Sequence, residues 1–425
     1  MIAWLLISFF VLLFLGVPIA MSLGLSAIGG ILFLGGGSTV TIAQRMFEGM
    51  NSFALLAIPL YTFAGFTMSK GGISKRLMDF CYSIVGHIYG GLAHVNVLSS
   101  MIFAGISGSA VADTAGVSGM FMPEMVRKGY SKKFTVAVTA ISSTIGIIIP
   151  PSIPMVVIAG ICGISTGKLF LGGIIPGIMC GLAQMIVSYF MAKKEGVPKE
   201  PGHFSIGPVL HGLWESWPAL LMPIIIVGTI TMGIVSPTEA GVIAVVYGLF
   251  AGGIIYRELK WEDIKFAFAE TVRTSGRIFI VIGAAKLYTV MLTTAGFDKW
   301  VANTMLGFTT NPTVILIMIL LIFFIVTMFM ESIATLTLFM PILYPIALGV
   351  GIDPIVLSVL ITVVIGVGLV TPPVGMCIYV ACDLMDIKVE EVFPTLLPFI
   401  GATFLCIALM IAFPQLVLLP TYLMA

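Results

Sequence analysis

The chain has 425 residues, of which 59% are hydrophobic and 9% charged, and its formal net charge is +1 at neutral pH. A soluble domain carries roughly 25% charged residues, so too few charges exist to cover a water-facing surface, and the main solvent must be lipid. The charge balance gives no argument for a nucleic-acid or acidic partner, and the six dispersed cysteines lack metal-ligand spacing and read as small buried hydrophobes.

A spanning helix takes about 20 mostly apolar residues, and such runs recur along the chain. Residues 2–16 and 18–37 predict two crossings around Pro18, and residues 53–69 a third. The first run lacks the basic flank of a cleaved leader and is expected to be a span. Basic clusters at Lys70, Lys75 and Arg76, at Arg127 to Lys133, at Lys193 to Lys199, and at Arg257 to Arg277 mark cytoplasmic loops. Of the twenty Lys and Arg, that topology leaves only Arg45, Lys168 and Lys299 outside and Lys286 inside a span.

Residues 77–126 begin and end beside cytoplasmic loops, yet the part from 91 to 126 is apolar and interrupted at Gly105, Ser107, Gly108 and Ser109. The pattern predicts a re-entrant hairpin of two half-length helices meeting near mid-membrane, where non-helical backbone survives only inside protein or beside water. The next span, 134–164, is broken at Pro150-Pro151, because proline removes a backbone donor and clashes with the preceding turn. Residues 166–192, 217–235, 239–256 and 274–295 predict further crossings. The basic amphipathic stretch from Arg257 to Glu270 is expected to be an interfacial arm, with residues 297–306 as its counterpart.

The same grammar then returns as a hairpin at 313–349, interrupted from Glu331 to Thr335, and a span at 355–384 broken at Pro372-Pro373. Gly146 and Gly368, Pro150 and Pro372, Pro151 and Pro373, and Pro176 and Pro398 all stand 222 residues apart. The units enter their hairpins from opposite sides, which makes the repeat inverted. The chain divides into N-terminal scaffold helices at 1–52, a first repeat at 53–192, connecting scaffold helices and the arm at 193–273, and a second repeat at 274–425.

Inverted repeats with paired broken helices are how many secondary transporters build a midplane site. Here the breaks are Ser107 to Ser109, Ser142 to Pro151, Glu331 to Thr335, and Gly366 to Pro373, where hydroxyls and freed carbonyls suit a small hard cation. Charges deep in apolar sequence mark function. Asp113 either orients cation ligands or caps the descending half-helix; Glu331 lines a substrate path, tunes cation binding, or is a plain helix-end carboxylate. Lys286 either pairs with an acid or meets an anionic substrate, Asp383 caps a half-helix or lies at the interface, and Glu239 in Ser236-Pro237-Thr238-Glu239 reads as first-turn structure.

The histidines His87, His94, His203 and His211 form no catalytic set, with His203 and His211 expected in a polar loop, and Gly167-Lys168-Leu169 lacks the pattern of a phosphate-binding loop. The expected fold is an all-α polytopic membrane protein, an inverted-repeat transporter with two re-entrant hairpins and two broken helices. It is expected to carry an ion-coupled solute and not to be an enzyme. A stand-alone ion or proton antiporter, with Asp113 or Glu331 as the carrier, is the other reading.

The Ser107-Gly108-Ser109-Ala110 tip with Asp113, the Ile149-Pro150-Pro151-Ser152 break, Ser236-Pro237-Thr238-Glu239-Ala240 and Val370-Thr371-Pro372-Pro373 together resemble the large membrane subunit of the TRAP transporters, the tripartite ATP-independent periplasmic carriers. The resemblance covers essentially the whole chain and implies an unfused large subunit in the bacterial inner membrane. It implies a sodium-driven, elevator-type importer of organic acids such as sialic acid or C4-dicarboxylates. The implied partners are a small four-helix membrane subunit and a soluble periplasmic binding protein. Carried onto matching positions, it gives sodium roles to Ser107, Ser109, Ser143, Gly146, Gly368, Thr371, Ser332 and Thr335. Asp113, Glu331, Lys286, Pro150 and Pro372 become substrate or coupling residues.

Overall fold

The computed structural model describes residues 1–34, 39–197 and 205–424, and all regular structure among them is helical. Apolar sequence with few charges has one solution in lipid other than a closed barrel: each backbone donor and acceptor is satisfied within its own helix. Among the described residues seven helices are long and apolar enough to cross a membrane: Phe53–Lys70, Thr166–Glu195, Ile206–Thr231, Pro237–Ile255, Trp261–Thr294, Ser332–Gly349 and Val389–Ala412.

The repeat is written into helix boundaries. Ala110–Arg127 and Ser332–Gly349 each have 18 residues, start and stop 222 residues apart, and hold prolines at Pro123 and Pro345 in the same register. Each starts on a side-chain cap, Ser109 in the first unit and Glu331 in the second. Each follows a partner helix, Gly91–Ser107 or Pro312–Thr327, across a short break, so each unit contains a helical hairpin. The broken spans match as well. Lys132–Ser143 and Pro354–Gly368 lead into cis bonds at Pro150-Pro151 and Pro372-Pro373, after which the shorter helices Ile153–Cys162 and Met376–Met385 resume.

Several expectations are corrected. The hairpin arms have 16 to 18 residues, about 24–27 Å at ~1.5 Å per residue, and are not half-length. The first break is confined to Gly108 and Ser109, with Gly105 and Ser107 still helical, and the second runs over 328–331, with Ser332 to Thr335 already in the next helix. The stretch around Arg45 is the helix Thr39–Met50, whose strong amphipathicity lets one side pack on Trp261–Thr294. Residues 261–270 of the expected arm and the crossing 274–295 merge into the unbroken Trp261–Thr294, because no proline or helix-breaking turn separates them, while residues 257–260 precede the helix. By position after a left-handed glycine, Gly72 or Gly296, the counterpart of Phe297–Phe308 is Ile73–Val85, and not the arm. His211 lies on the helix Ile206–Thr231, and His203 lies outside the described residues.

Two buried apolar clusters hold the molecule. The larger joins both hairpins to both broken spans and the helices around them. The smaller packs Leu5, Leu23 and Ala27 of the N-terminal helices on Ala284, Tyr288 and Met291, with Met330, Ala334 and Leu338 of the second hairpin on the other side.

Candidate functional site at the helix breaks

Each hairpin tip is tied to its own broken span by one backbone hydrogen bond. Ile153 N–H donates to Gly108 O at 3.2 Å in the first unit, and Val374 N–H donates to Met328 O at 3.0 Å in the second. Both donors lie just past the Pro-Pro pair, where the broken helix has exposed backbone to share. Gly108 has φ +63°, and a Cβ there would stand 2.6 Å from Pro151 O, so the close approach requires glycine twice over. The two spans meet each other too, since a Cβ on Gly366 would lie 3.2 Å from Thr144 Cβ.

Around this frame the first break gathers oxygens. Asp113, 2% exposed, projects from the first turn of Ala110–Arg127. Its Oδ1 accepts from the Ser107 hydroxyl, which in turn accepts from Ser109 N–H at 3.3 Å. Its Oδ2 has no hydrogen-bond partner and points at Gly146 in the 3-10 turn Thr144–Ile147, where a Cβ would collide with the carboxyl group. A carboxylate oxygen this deep requires a cation, a proton or a water. One negative charge with neutral oxygens around it balances a monovalent ion, and a hard cation prefers oxygen ligands. Among the described residues no group of three or more His, Cys, Asp or Glu side chains occurs.

The second break is built differently. Thr335 occupies the register position of Asp113, and its hydroxyl donates to Glu331 O at 3.1 Å. Glu331 instead caps Ser332–Gly349, accepting from Ile333 N–H at 3.0 Å and Ala334 N–H at 3.4 Å, while Ser332 donates to its Oε1 at 2.8 Å. Gly368 is hemmed in by Thr327, whose Cβ would lie 2.7 Å from an added Cβ. Thr371 donates to Val367 O at 2.7 Å.

Other residues singled out from sequence sit farther from these oxygens or within helices. The Ser143 hydroxyl returns to Thr139 O at 2.7 Å within its own helix. Pro150 and Pro372 form the breaks and bring no oxygen-bearing side chain. Lys286 lies on Trp261–Thr294, with its stem against Gly49, on a helix packed with the N-terminal helices, Ala57–Lys70 and Ser332–Gly349. Glu239 closes a capping box with Ser236, accepting from Ser236 N–H at 2.6 Å, which is the structural role expected. Asp383 is exposed near the end of Met376–Met385, and the cysteines are free and buried apart from half-buried Cys162.

One group of polar residues was missed. Asn96, Ser100, Thr139 and Ser142 are fully buried and mutually bonded: Asn96 Nδ2 donates to Thr139 Oγ1 at 2.7 Å, Ser142 Oγ to Asn96 Oδ1 at 3.0 Å, and Ser100 Oγ to Ser142 Oγ at 3.1 Å. Their signal lay in the repeat register, where the corresponding residues are Met318, Ile322, Ile361 and Val364.

The all-helical fold, its membrane-crossing helices and its paired breaks define a multi-pass membrane transporter. The fold is similar to that of the YdaH transporter of Alcanivorax borkumensis (TM-score 0.60, 14% identity, 87% of this chain and 86% of that one). It is also similar to MtrF of Neisseria gonorrhoeae, described with a class of antimetabolite efflux pumps (TM-score 0.61, 14% identity, 88% and 84%). Residues 6–416 match the family model described as the tripartite ATP-independent periplasmic transporter, DctM component, and the chain belongs to that family of large permease proteins. Curated relatives include the isethionate TRAP transporter permease protein DctMQ of Oleidesulfovibrio alaskensis, 38% identical over 92% of this chain and 62% of that protein. The sialic acid large permease protein SiaM of Vibrio cholerae is 35% identical over 96% and 95%, and the C4-dicarboxylate large permease protein DctM of the same species 34% identical over 97% and 96%. The chain thus spans somewhat less than two thirds of the first relative and nearly all of the other two. It is an inner-membrane permease, not an enzyme.

Proposed function

We propose that this permease imports a small organic anion using the sodium gradient. The observation that carries the reading is the unpaired Oδ2 of buried Asp113, which packs against Gly146 where any side chain would collide with it. A sodium ion there would be held by Asp113, with Ser107 fixing the carboxylate and the tip and break carbonyls as further oxygen donors. The second break offers Thr371, Ser332, Thr335 and carbonyls near Gly368 to a second, more neutral sodium site, with Glu331 as support.

Relatives named for sialic acid, C4-dicarboxylates, isethionate and 2,3-diketo-L-gulonate all concern small acids, which supports an anionic cargo with carboxylate or sulfonate groups. Helix N-termini at the breaks favour such a charge. Both hairpins and both broken spans form the transport body of an elevator, with the hairpins re-entrant from opposite faces and the remaining helices as scaffold. A soluble periplasmic binding protein delivers the cargo, and a small four-helix membrane subunit completes the complex. In proteoliposomes holding the complete complex and its binding protein, uptake of labelled acid is expected to require inward sodium, and equal uptake without it would overturn the proposal. Uptake driven by protons and independent of any binding protein would favour an antiporter with Asp113 as proton carrier.

A further inference from the structure

The Asn96 network lies outside the oxygens assigned to any cargo, yet it joins the elements that carry them. Asn96 and Ser100 come from Gly91–Ser107, the helix that ends at Ser107. Thr139 and Ser142 come from Lys132–Ser143, the helix that runs into the turn holding Gly146. Asn96 Nδ2 also lies 3.8 Å from the sulfur of Met125, which belongs to Ala110–Arg127 together with Asp113. One amide therefore touches all three helices whose relative positions set the distance from Asp113 to Gly146. Directional bonds between buried groups specify a register that apolar side chains leave free to slide. The second unit shows the alternative, with Met318, Ile322, Ile361 and Val364 packed at the same positions.

We infer that Asn96 and Thr139 are positioning residues that hold the first break at the spacing its cation requires, so that this site binds more tightly and discriminates ion size more sharply than the second. The inference rests on the sodium reading of Asp113. A site kept at one spacing cannot relax around a smaller ion, whereas an apolar joint can adjust.

The test exchanges the first unit's solution for the second's, Asn96→Met with Thr139→Ile, in the complete complex. Sodium dependence of uptake is measured at saturating acid, and again with lithium in place of sodium. Expected are a half-saturating sodium concentration raised about tenfold, a maximal rate within about twofold of the parent, and a narrower gap between sodium and lithium. Half-saturation and ion preference unchanged in a well-assembled variant would overturn the inference, as would a fall in maximal rate alone, which is what a purely structural role gives. If the double variant does not assemble, Thr139→Val removes the acceptor of the Asn96 bond together with the hydroxyl's own bond to Thr135 O and is read by the same two outcomes, with Thr139→Ser, which keeps the hydroxyl for both, expected to restore the parent value. Failure of the sodium reading shows separately, as parent uptake indifferent to sodium.

Discussion

In the first unit the hairpin meets its broken span through Asn96, Ser100, Thr139 and Ser142, and a buried carboxylate waits beside a glycine; in the second the four matching positions are apolar and the carboxylate caps a helix. The helices Ala110–Arg127 and Ser332–Gly349 begin and end in the same repeat register. Two copies of one backbone plan therefore carry different chemistry at their tips. Helix ends and prolines set where backbone is freed, while the few side chains lining the break set which charge is welcome there.

That contrast is open to attack at three places. The largest effect is expected from Asp113→Asn, which removes the charge a cation would answer; since breaking a buried charge pair costs about 3–5 kcal/mol, uptake should fall more than about 100-fold while the complex still assembles, as read by proteoliposome uptake and gel filtration. Near-normal uptake would mean that the tips are equivalent after all. Next comes Gly146→Ala, whose methyl group meets the Asp113 carboxyl, against Gly368→Ala, whose methyl group meets Thr327. Overpacking costs about 1–3 kcal/mol; the first change should raise half-saturating sodium about tenfold, and the second should lower thermal stability of the purified complex with little change in sodium dependence. The smallest effect is expected from Glu331→Gln, which keeps an oxygen for the cap and loses about 0.3–1 kcal/mol of charge–dipole attraction. Uptake should change less than about fivefold, measured in the same assay.

Much of the frame is legible in the sequence. Pro150-Pro151 and Pro372-Pro373 announce breaks by local chemistry, and their constant spacing announces the repeat. Ser236 and Glu239 were readable for the same reason, because a capping box is made by neighbours in sequence. Asn96 was not, since its partners Thr139 and Ser142 lie more than forty positions away and a lone asparagine in an apolar run carries no mark of its pairing. The union of the Arg257–Glu270 stretch with the following crossing was hidden by its charges, which suggested a boundary where the backbone runs on without one. Asp113 was noticed as a deep acid, but only its neighbours distinguish an unpaired oxygen from a cap.

The long Trp261–Thr294 helix has a consequence for how deep the molecule floats. Its 34 residues extend about 51 Å at ~1.5 Å per residue, against roughly 30 Å of hydrocarbon. The surplus falls at the end that carries Lys265, Arg273 and Arg277, with Arg273 paired to Glu270 at 2.6 Å. From Arg277 onward the helix is apolar except for Lys286, and that length, about 26 Å at the same rise, nearly matches the oily layer. The last arginine, Arg277, is thus the expected waterline of this helix, since a guanidinium suits anionic headgroups and is costly in hydrocarbon.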